Sequence, residues 1–172
     1  MIVYTIGHST RALDVFVALL HAHGVTQLAD VRTVPKSRRH PHFAQEALSE
    51  SLPAARIRYR HFPGLGGLRK PAADSHNTGW KHAGFRGYAD YMQTPAFTAA
   101  LDDLIAWSRE APTAVMCAEA VWWRCHRQLI ADALVARGVD VRHITSPAAA
   151  GTHTLTSFAR VDGERVTYPG LI

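Results

Sequence analysis

Five short runs of aliphatic, β-branched and aromatic residues recur along the chain, with helical stretches in the gaps between them, and this alternation constrains the fold more than any other feature. The runs fall at residues 2–6, 27–31, 57–62, 113–117 and 139–144. Their length and composition predict buried strands. Between them the apolar spacing predicts helices over 9–23, 41–52, 94–110 and 123–137. Start and stop signals frame these helices: Ser9 and Thr10 as N-caps before the first, Pro41 at the first position of the second, Thr94-Pro95 before the third, and Gly24 and Gly138 as terminators. Strands separated by helices are joined by crossovers and therefore run parallel. The predicted fold is α/β: a three-layer sandwich with a mainly parallel sheet of about five strands and helices on both faces. Near the C-terminal end, residues 154–161 and 164–168 flank Asp162-Gly163, a two-residue turn signal that predicts an antiparallel β-hairpin. Residues 63–87 are rich in glycine and polar side chains and read as a long functional loop.

A chain of 172 residues builds one well-buried core, so residues 1–172 are expected to form a single domain. No apolar run approaches the roughly 20 residues that span a bilayer. The opening Met1-Ile-Val-Tyr-Thr-Ile-Gly reads as a strand rather than a secretion signal, which predicts a cytoplasmic protein. In that reducing compartment Cys117 and Cys125, the two cysteines, are expected as free thiols. The formal net charge of +5, with 11 histidines besides, favours an anionic partner such as a nucleotide, a nucleic acid or a phosphate- or sulfur-containing small molecule. No membrane partner is expected, and composition says nothing about oligomeric state.

Ligands of parallel sheets collect beyond the carboxyl ends of the strands, where loops and helix N-termini converge. Polar residues follow that rule here. His8 and Ser9 succeed the first strand, Asp30 and Arg32 the second, His61 the third, Cys117 and Glu119 the fourth, and His143 the fifth. The segment CAEAVWWRCHR, residues 117–127, is the densest constellation. A thiol near a helix N-terminus and beside Arg124 and Arg127 is drawn toward thiolate, so either cysteine qualifies as a nucleophile. Cys117 sits on a buried strand and equally suits a small core residue, whereas Cys125, next to His126, has the more reactive setting. In the enzymatic reading His126 or His8 carries the proton, Glu119 orients, and Arg32, Arg124 and Arg127 clamp an anion. Asp30 and Glu119 serve equally well as ion-pair partners of those arginines.

The loop PKSRRHPHF, residues 35–43, adds Lys36, Arg38 and Arg39 with an aromatic, a pattern that grips phosphates while Phe43 either stacks or packs. Gly66 and Gly67 offer a weak phosphate-cradling turn without Walker or dinucleotide spacing. Trp122 and Trp123 suit a lid that shields the thiols. Cys117, Cys125, His126 and His8 or His61 could act as soft metal ligands, but the seven-residue gap between the cysteines matches no zinc-knuckle spacing. No metal or other cofactor is therefore assigned.

The segments TIGHST (5–10), DVRTVPKSRRHPHF (30–43), LGGLR (65–69), CAEAVWWRCHR (117–127) and VRHI (141–144) strongly resemble domain-of-unknown-function family 488 in the same order. The resemblance implies a compact α/β domain with Cys-Ala-Glu and Cys-His-Arg as its functional mark. A more distant likeness links Asp30-Val31-Arg32 and Cys117 to rhodanese-type sulfurtransferases and cysteine phosphatases. The first arginine after Cys117 is Arg124, one residue beyond the phosphatase spacing and two beyond the usual rhodanese spacing.

Two readings follow. In the first, the chain is a cysteine-dependent transferase or hydrolase acting on an anionic substrate. In the second, it is a nucleic-acid-binding or regulatory module whose basic loop makes the contacts while the cysteines are structural. A metal-dependent enzyme is a third.

Overall fold

A computed structural model describes residues 1–170. Its principal sheet contains β1 (Ile2–Gly7), β2 (Gln27–Asp30), β3 (Arg58–His61), β4 (Thr113–Cys117), β5 (Asp140–His143) and β6 (Gly151–Thr152). The order across the sheet is β3-β2-β4-β1-β5-β6. The first five strands pair in parallel, and β6 adds antiparallel at one edge. The expected α/β sandwich is therefore present, with a sixth strand too short to leave a pattern in the sequence. Its helices are α1 (Leu13–Ala22), α2 (Gln45–Ala54), α3 (Ala83–Tyr91), α4 (Pro95–Ser108) and α5 (Arg127–Ala136). Among the described residues no helix is long and apolar enough to cross a membrane.

Two cores form on the two faces of the sheet. One joins Phe16, Leu19 and Leu20 of α1 with Leu48 and Leu52 of α2. The other joins Tyr88 of α3, Phe97, Leu101 and Leu104 of α4, and Leu129, Ile130 and Leu134 of α5. Each fully buried leucine contributes about 1.5–3 kcal/mol relative to exposure, so these stripes fix which face each helix covers. All four residues of β2 and all five of β4 are buried, as expected of central strands covered on both faces.

Several boundaries differ from the sequence expectation for local reasons. Ser9 adopts a left-handed backbone (φ 50°), which delays α1 until Leu13 and leaves Ser9 and Thr10 outside its cap. Pro41 opens a separate 3-10 turn, Pro41–Phe43, and Ala44 with extended backbone divides it from α2. Thr94 caps α4 as its sequence predicts, its hydroxyl accepting from the Phe97 amide at 3.3 Å. The 63–87 stretch is more regular than expected: it holds a 3-10 turn, Pro63–Leu65, and the first turns of α3. The C-terminal hairpin is β7 (Arg160–Asp162) with β8 (Arg165–Thr167). Asp162 pairs with Arg165, so the turn residues are Gly163 and Glu164 rather than Asp162-Gly163, and Gly163 supplies the positive φ that the turn requires.

The departure that matters most concerns the helix expected from residue 123. Trp122–Arg124 form a 3-10 turn, Cys125 is extended (φ −135°, ψ 154°), and α5 begins at Arg127. That break separates Cys125 from the helix axis and lets its sulfur face the helix N-terminus.

Candidate functional site

Connections leaving β1 and β4 run to opposite sides of the sheet, which opens a crevice beyond the carboxyl ends of the central strands. Register places Gly7 of β1 opposite Cys117 of β4, and the His8 amide continues the ladder by donating to the Cys117 carbonyl at 3.0 Å. A cavity of about 460 Å³ lies there. Of the sequence candidates, Cys117, Cys125, His126, His8, Arg32, Glu119, Arg124, Lys36 and Gly67 line it.

Both cysteines are free, buried and adjacent, with Sγ atoms 2.7 Å apart. Cys125 Sγ lies 3.4 Å from His126 Nδ1 and accepts from the Arg127 amide at 3.5 Å. The opposite ring nitrogen of His126, Nε2, donates to the Val31 carbonyl at 2.9 Å. That bond fixes the tautomer and leaves Nδ1 as the proton acceptor turned toward Cys125. Burial pushes the Cys125 thiol up, but hydrogen bonds from Cys117 and His126 and the nearby Arg127 charge outweigh it and hold the thiol well below its ordinary value. Cys117 moves the opposite way: burial and the adjoining Cys125 hold its proton on. The two shifts are opposed, so Cys125 is the thiol that ionises more readily and Cys117 the one that keeps its proton longer.

Arg32 is buried, and its guanidinium grips Asp30 through Nε (2.9 Å) and Nη2 (2.7 Å), while Nη2 also donates to the Phe43 carbonyl. Tyr59 donates to the same carboxylate, and burial together with Asp30 pushes its phenol up. Asp30 thus neutralises Arg32 instead of doing acid–base work, leaving Nη1, 3.4 Å from His8 Nε2, as the free end. His8 donates from Nδ1 to the Ser9 carbonyl at 2.9 Å and stacks on Phe43. Burial lowers its pKa, so His8 is a neutral imidazole whose Nε2 faces Arg32.

Arg127, expected as an anion clamp, is instead 1% exposed and turned inward. Its Nη2 donates to the Glu119 carbonyl at 2.7 Å and its Nη1 to Thr5 Oγ1 at 3.2 Å. From Thr5 a chain of hydrogen bonds runs through the interior. Thr5 Oγ1 meets His143 Nδ1 at 2.6 Å, His143 Nε2 meets His153 Nδ1 at 2.8 Å, and His153 Nε2 meets Asp132 Oδ1 at 2.8 Å. Thr156 and Tyr168 hydroxyls complete the carboxylate, each at 2.7 Å. His153 Nε2–H donates to Asp132, and burial keeps the proton off His143, so a run in which each Nε2–H donates onward and each Nδ1 accepts satisfies every group. The chain thus holds a buried cation and a buried anion apart through three intervening side chains. Trp122 lies flat on His143 (4.3 Å between centroids, 2° between planes), covering this relay rather than the thiols.

The remaining candidates lie elsewhere. His61 Nε2 donates to the Arg32 carbonyl and does not line the cavity. Ser9 contributes its backbone to the His8 turn, and Arg38 and Arg39 are exposed on the rim loop away from the cavity. Glu119 lines the cavity, but His126 is oriented by the Val31 carbonyl and not by a carboxylate. Phe43 is fully buried against His8 and edge-on to Phe16, a packing residue. Gly66 and Gly67 allow close approach rather than cradling an anion through their own geometry: a Cβ at Gly67 would stand 2.6 Å from His126 Nδ1, and one at Gly66 would stand 2.6 Å from Thr33 Oγ1. Sequence reasoning missed the walls supplied by Val34, Leu68, His82 and Phe85. The last two lie in or beside α3, which the sequence read as loop. Among the described residues, no three His, Cys, Asp or Glu side chains gather in an arrangement that could hold a metal ion.

The family model described as Domain of unknown function DUF488 matches residues 12–134. No curated protein and no solved structure matches the chain.

Proposed function

The chain belongs to the DUF488 family, and from the site it builds we propose that it is a cysteine-dependent enzyme acting on an anionic substrate, with Cys125 as nucleophile and His126 as its proton acceptor. One observation carries the reading: Cys125 Sγ sits on the cavity wall between His126 Nδ1 (3.4 Å) and the first amide of α5 (3.5 Å). A thiolate formed there is stabilised by a helix N-terminus and a neighbouring imidazolium, the setting that activates cysteine nucleophiles. Arg124 and Lys36 are exposed on the same cavity, with no carboxylate partner among the described residues, so they are free to attract the substrate's negative charge. Val34, Leu68 and Phe85 supply apolar wall, which suits an organic body carrying the anionic group. The distant likeness to rhodanese-type and phosphatase domains puts the nucleophile at Cys117. The proton that burial and Cys125 hold on Cys117, and the contacts of Cys125 with His126 Nδ1 and the Arg127 amide, favour Cys125 instead.

The test is alkylation of the reduced native protein by iodoacetamide across pH, read per cysteine by mass spectrometry. Cys125 should react with a midpoint below the free value of about 8.5, and Cys117 should stay protected until the protein is denatured. A Cys125 that is inert in the native state, or that titrates above the free value, overturns the reading. It would favour a polyanion-binding module centred on exposed Arg38 and Arg39, whose binding should weaken steeply with salt.

The same assay probes the ring that holds the proton. Gly67→Ala places a methyl group against His126 Nδ1 and must turn the imidazole away from Cys125. The alkylation midpoint of Cys125 should rise by roughly one pH unit, equivalent to about 1.4 kcal/mol, while thermal stability changes little. An unchanged midpoint would remove His126 from the mechanism.

A further inference from the structure

Resting on the assignment of Cys125 as nucleophile, we infer that Cys117 is its resolving partner and that the pair works as a dithiol–disulfide couple reducing small anionic organic disulfides. The two sulfurs lie 2.7 Å apart on one cavity wall, against about 2.05 Å for a covalent disulfide, so a bond between them requires the sulfurs to close by only about 0.6 Å. Cys117 ends β4 and Cys125 precedes α5, and the loop between them is anchored at both sides. Its Ala118 carbonyl accepts from the Ser9 amide, and its Glu119 carbonyl accepts from Arg127.

The chemistry balances in two exchanges. The Cys125 thiolate attacks one sulfur of R–S–S–R, a Cys125–S–S–R bond forms, and RS⁻ leaves, taking the proton held on His126. Cys117 then attacks Cys125 Sγ, the bond to the remaining R–S breaks, and the second RS⁻ departs with the proton from Cys117. The substrate gains two electrons and becomes two thiols, while the protein is oxidised to the Cys117–Cys125 disulfide. The order is built in. Cys117 keeps its proton while Cys125 carries charge beside it, and loses that restraint once Cys125 is a neutral mixed disulfide. Arg127 then remains as the charge that favours the second thiolate. The unpaired Arg124 and Lys36 set the preference for an anionic disulfide.

Reduced protein is treated with glutathione disulfide, or with the cationic disulfide cystamine, and followed by intact mass and peptide mapping. The expected result with glutathione disulfide is loss of both thiols, a Cys117–Cys125 cross-linked peptide, and no retained adduct. Cys117→Ser and Cys117→Ala should each instead retain one glutathione on Cys125. Cystamine should react roughly tenfold more slowly at low salt. A wild-type protein that keeps a stable mixed disulfide on Cys125, or keeps both thiols while Cys125 still alkylates readily, overturns the couple and leaves the nucleophile standing. Equal rates with the two disulfides overturn the anionic preference. A Cys125 that neither alkylates nor exchanges overturns the underlying assignment itself.

Discussion

Replacing Asp132 with alanine should lower the unfolding free energy by about 3–5 kcal/mol, a large share of the 5–15 kcal/mol typical of a domain. The carboxylate is wholly buried and accepts four hydrogen bonds: from His153 Nε2 at 2.8 Å, the Thr156 amide at 3.1 Å, and the Thr156 and Tyr168 hydroxyls at 2.7 Å each. Alanine removes all four acceptor contacts and leaves the donors in an interior that water does not reach, at about 1–3 kcal/mol for each that stays unpaired. It also deletes the negative end of the relay, so the Arg127 guanidinium, 1% exposed and without a direct carboxylate partner among the described residues, loses the charge that balances it. Asp132→Asn keeps the shape and one acceptor oxygen but turns an NH₂ group toward donors, so it should fall between wild type and alanine. Urea unfolding at pH 7 decides the matter, and an alanine variant within about 1 kcal/mol of wild type would show that the buried network is dispensable.

This relay is the part of the molecule least legible in the sequence. His143 stood out because it ends a strand, but Thr5, Asp132, His153 and Tyr168 come from separate elements and meet only in three dimensions. Thr5 and His143, for example, are 138 residues apart. No spacing rule connects them. The strand–helix alternation was legible because burial on both faces demands continuous apolar runs, and β4 was placed at its exact bounds, Thr113–Cys117. α3 was missed because Gly84 and Gly87 lie within it, and glycine reads as loop when propensity is the guide. At Gly87 the Arg69 carbonyl would lie 2.4 Å from any Cβ, so packing has overridden propensity.

The candidate site was half legible for the same reason. Residues following parallel strands are delivered to one edge by topology alone, which is why His8, Arg32 and Cys117 converge. What each does there depends on neighbours that the sequence does not pair. Arg127 looks like a surface clamp in a list of basic residues, yet the break at Cys125 starts α5 one turn later and directs that guanidinium into the core. The same break gives Cys125 its contact with the helix N-terminus, so a single local irregularity both withdraws one cation from the cavity and creates the thiolate setting. Asp30 and Arg32, two residues apart, could be read as partners or as catalyst and clamp, and their bidentate geometry decides for partners.

Acid should destabilise the fold through His143. Burial, then the adjacent His153 and the Arg127 charge, lower its pKa to about 3, against 6.5 for the ordinary side chain. Between those values the unfolded chain binds a proton that the folded chain refuses, so unfolding takes up protons and stability rises with pH. The contribution is complete above about pH 6.5 and is lost as pH falls toward 3, at about 1.4 kcal/mol per unit along the steep part, or about 2 kcal/mol between pH 6.5 and 4.5. His8, also lowered by burial, acts in the same direction, as do Asp90 and Asp140, whose hydrogen-bonded carboxylates sit below their ordinary range. These groups are common to wild type and His143→Gln, so the difference in slope isolates His143. Urea midpoints measured from pH 4 to 7 should give the variant a slope shallower by about 1.4 kcal/mol per unit around pH 5, whatever its offset at pH 7. Parallel slopes would mean that folded His143 accepts the proton. That requires its Nδ1 to donate to Thr5 Oγ1, so that the hydroxyl receives hydrogen bonds from both His143 and Arg127 and two cations share one buried oxygen. The low dielectric of the interior makes that state costly, which is why the steeper wild-type slope is the expected result.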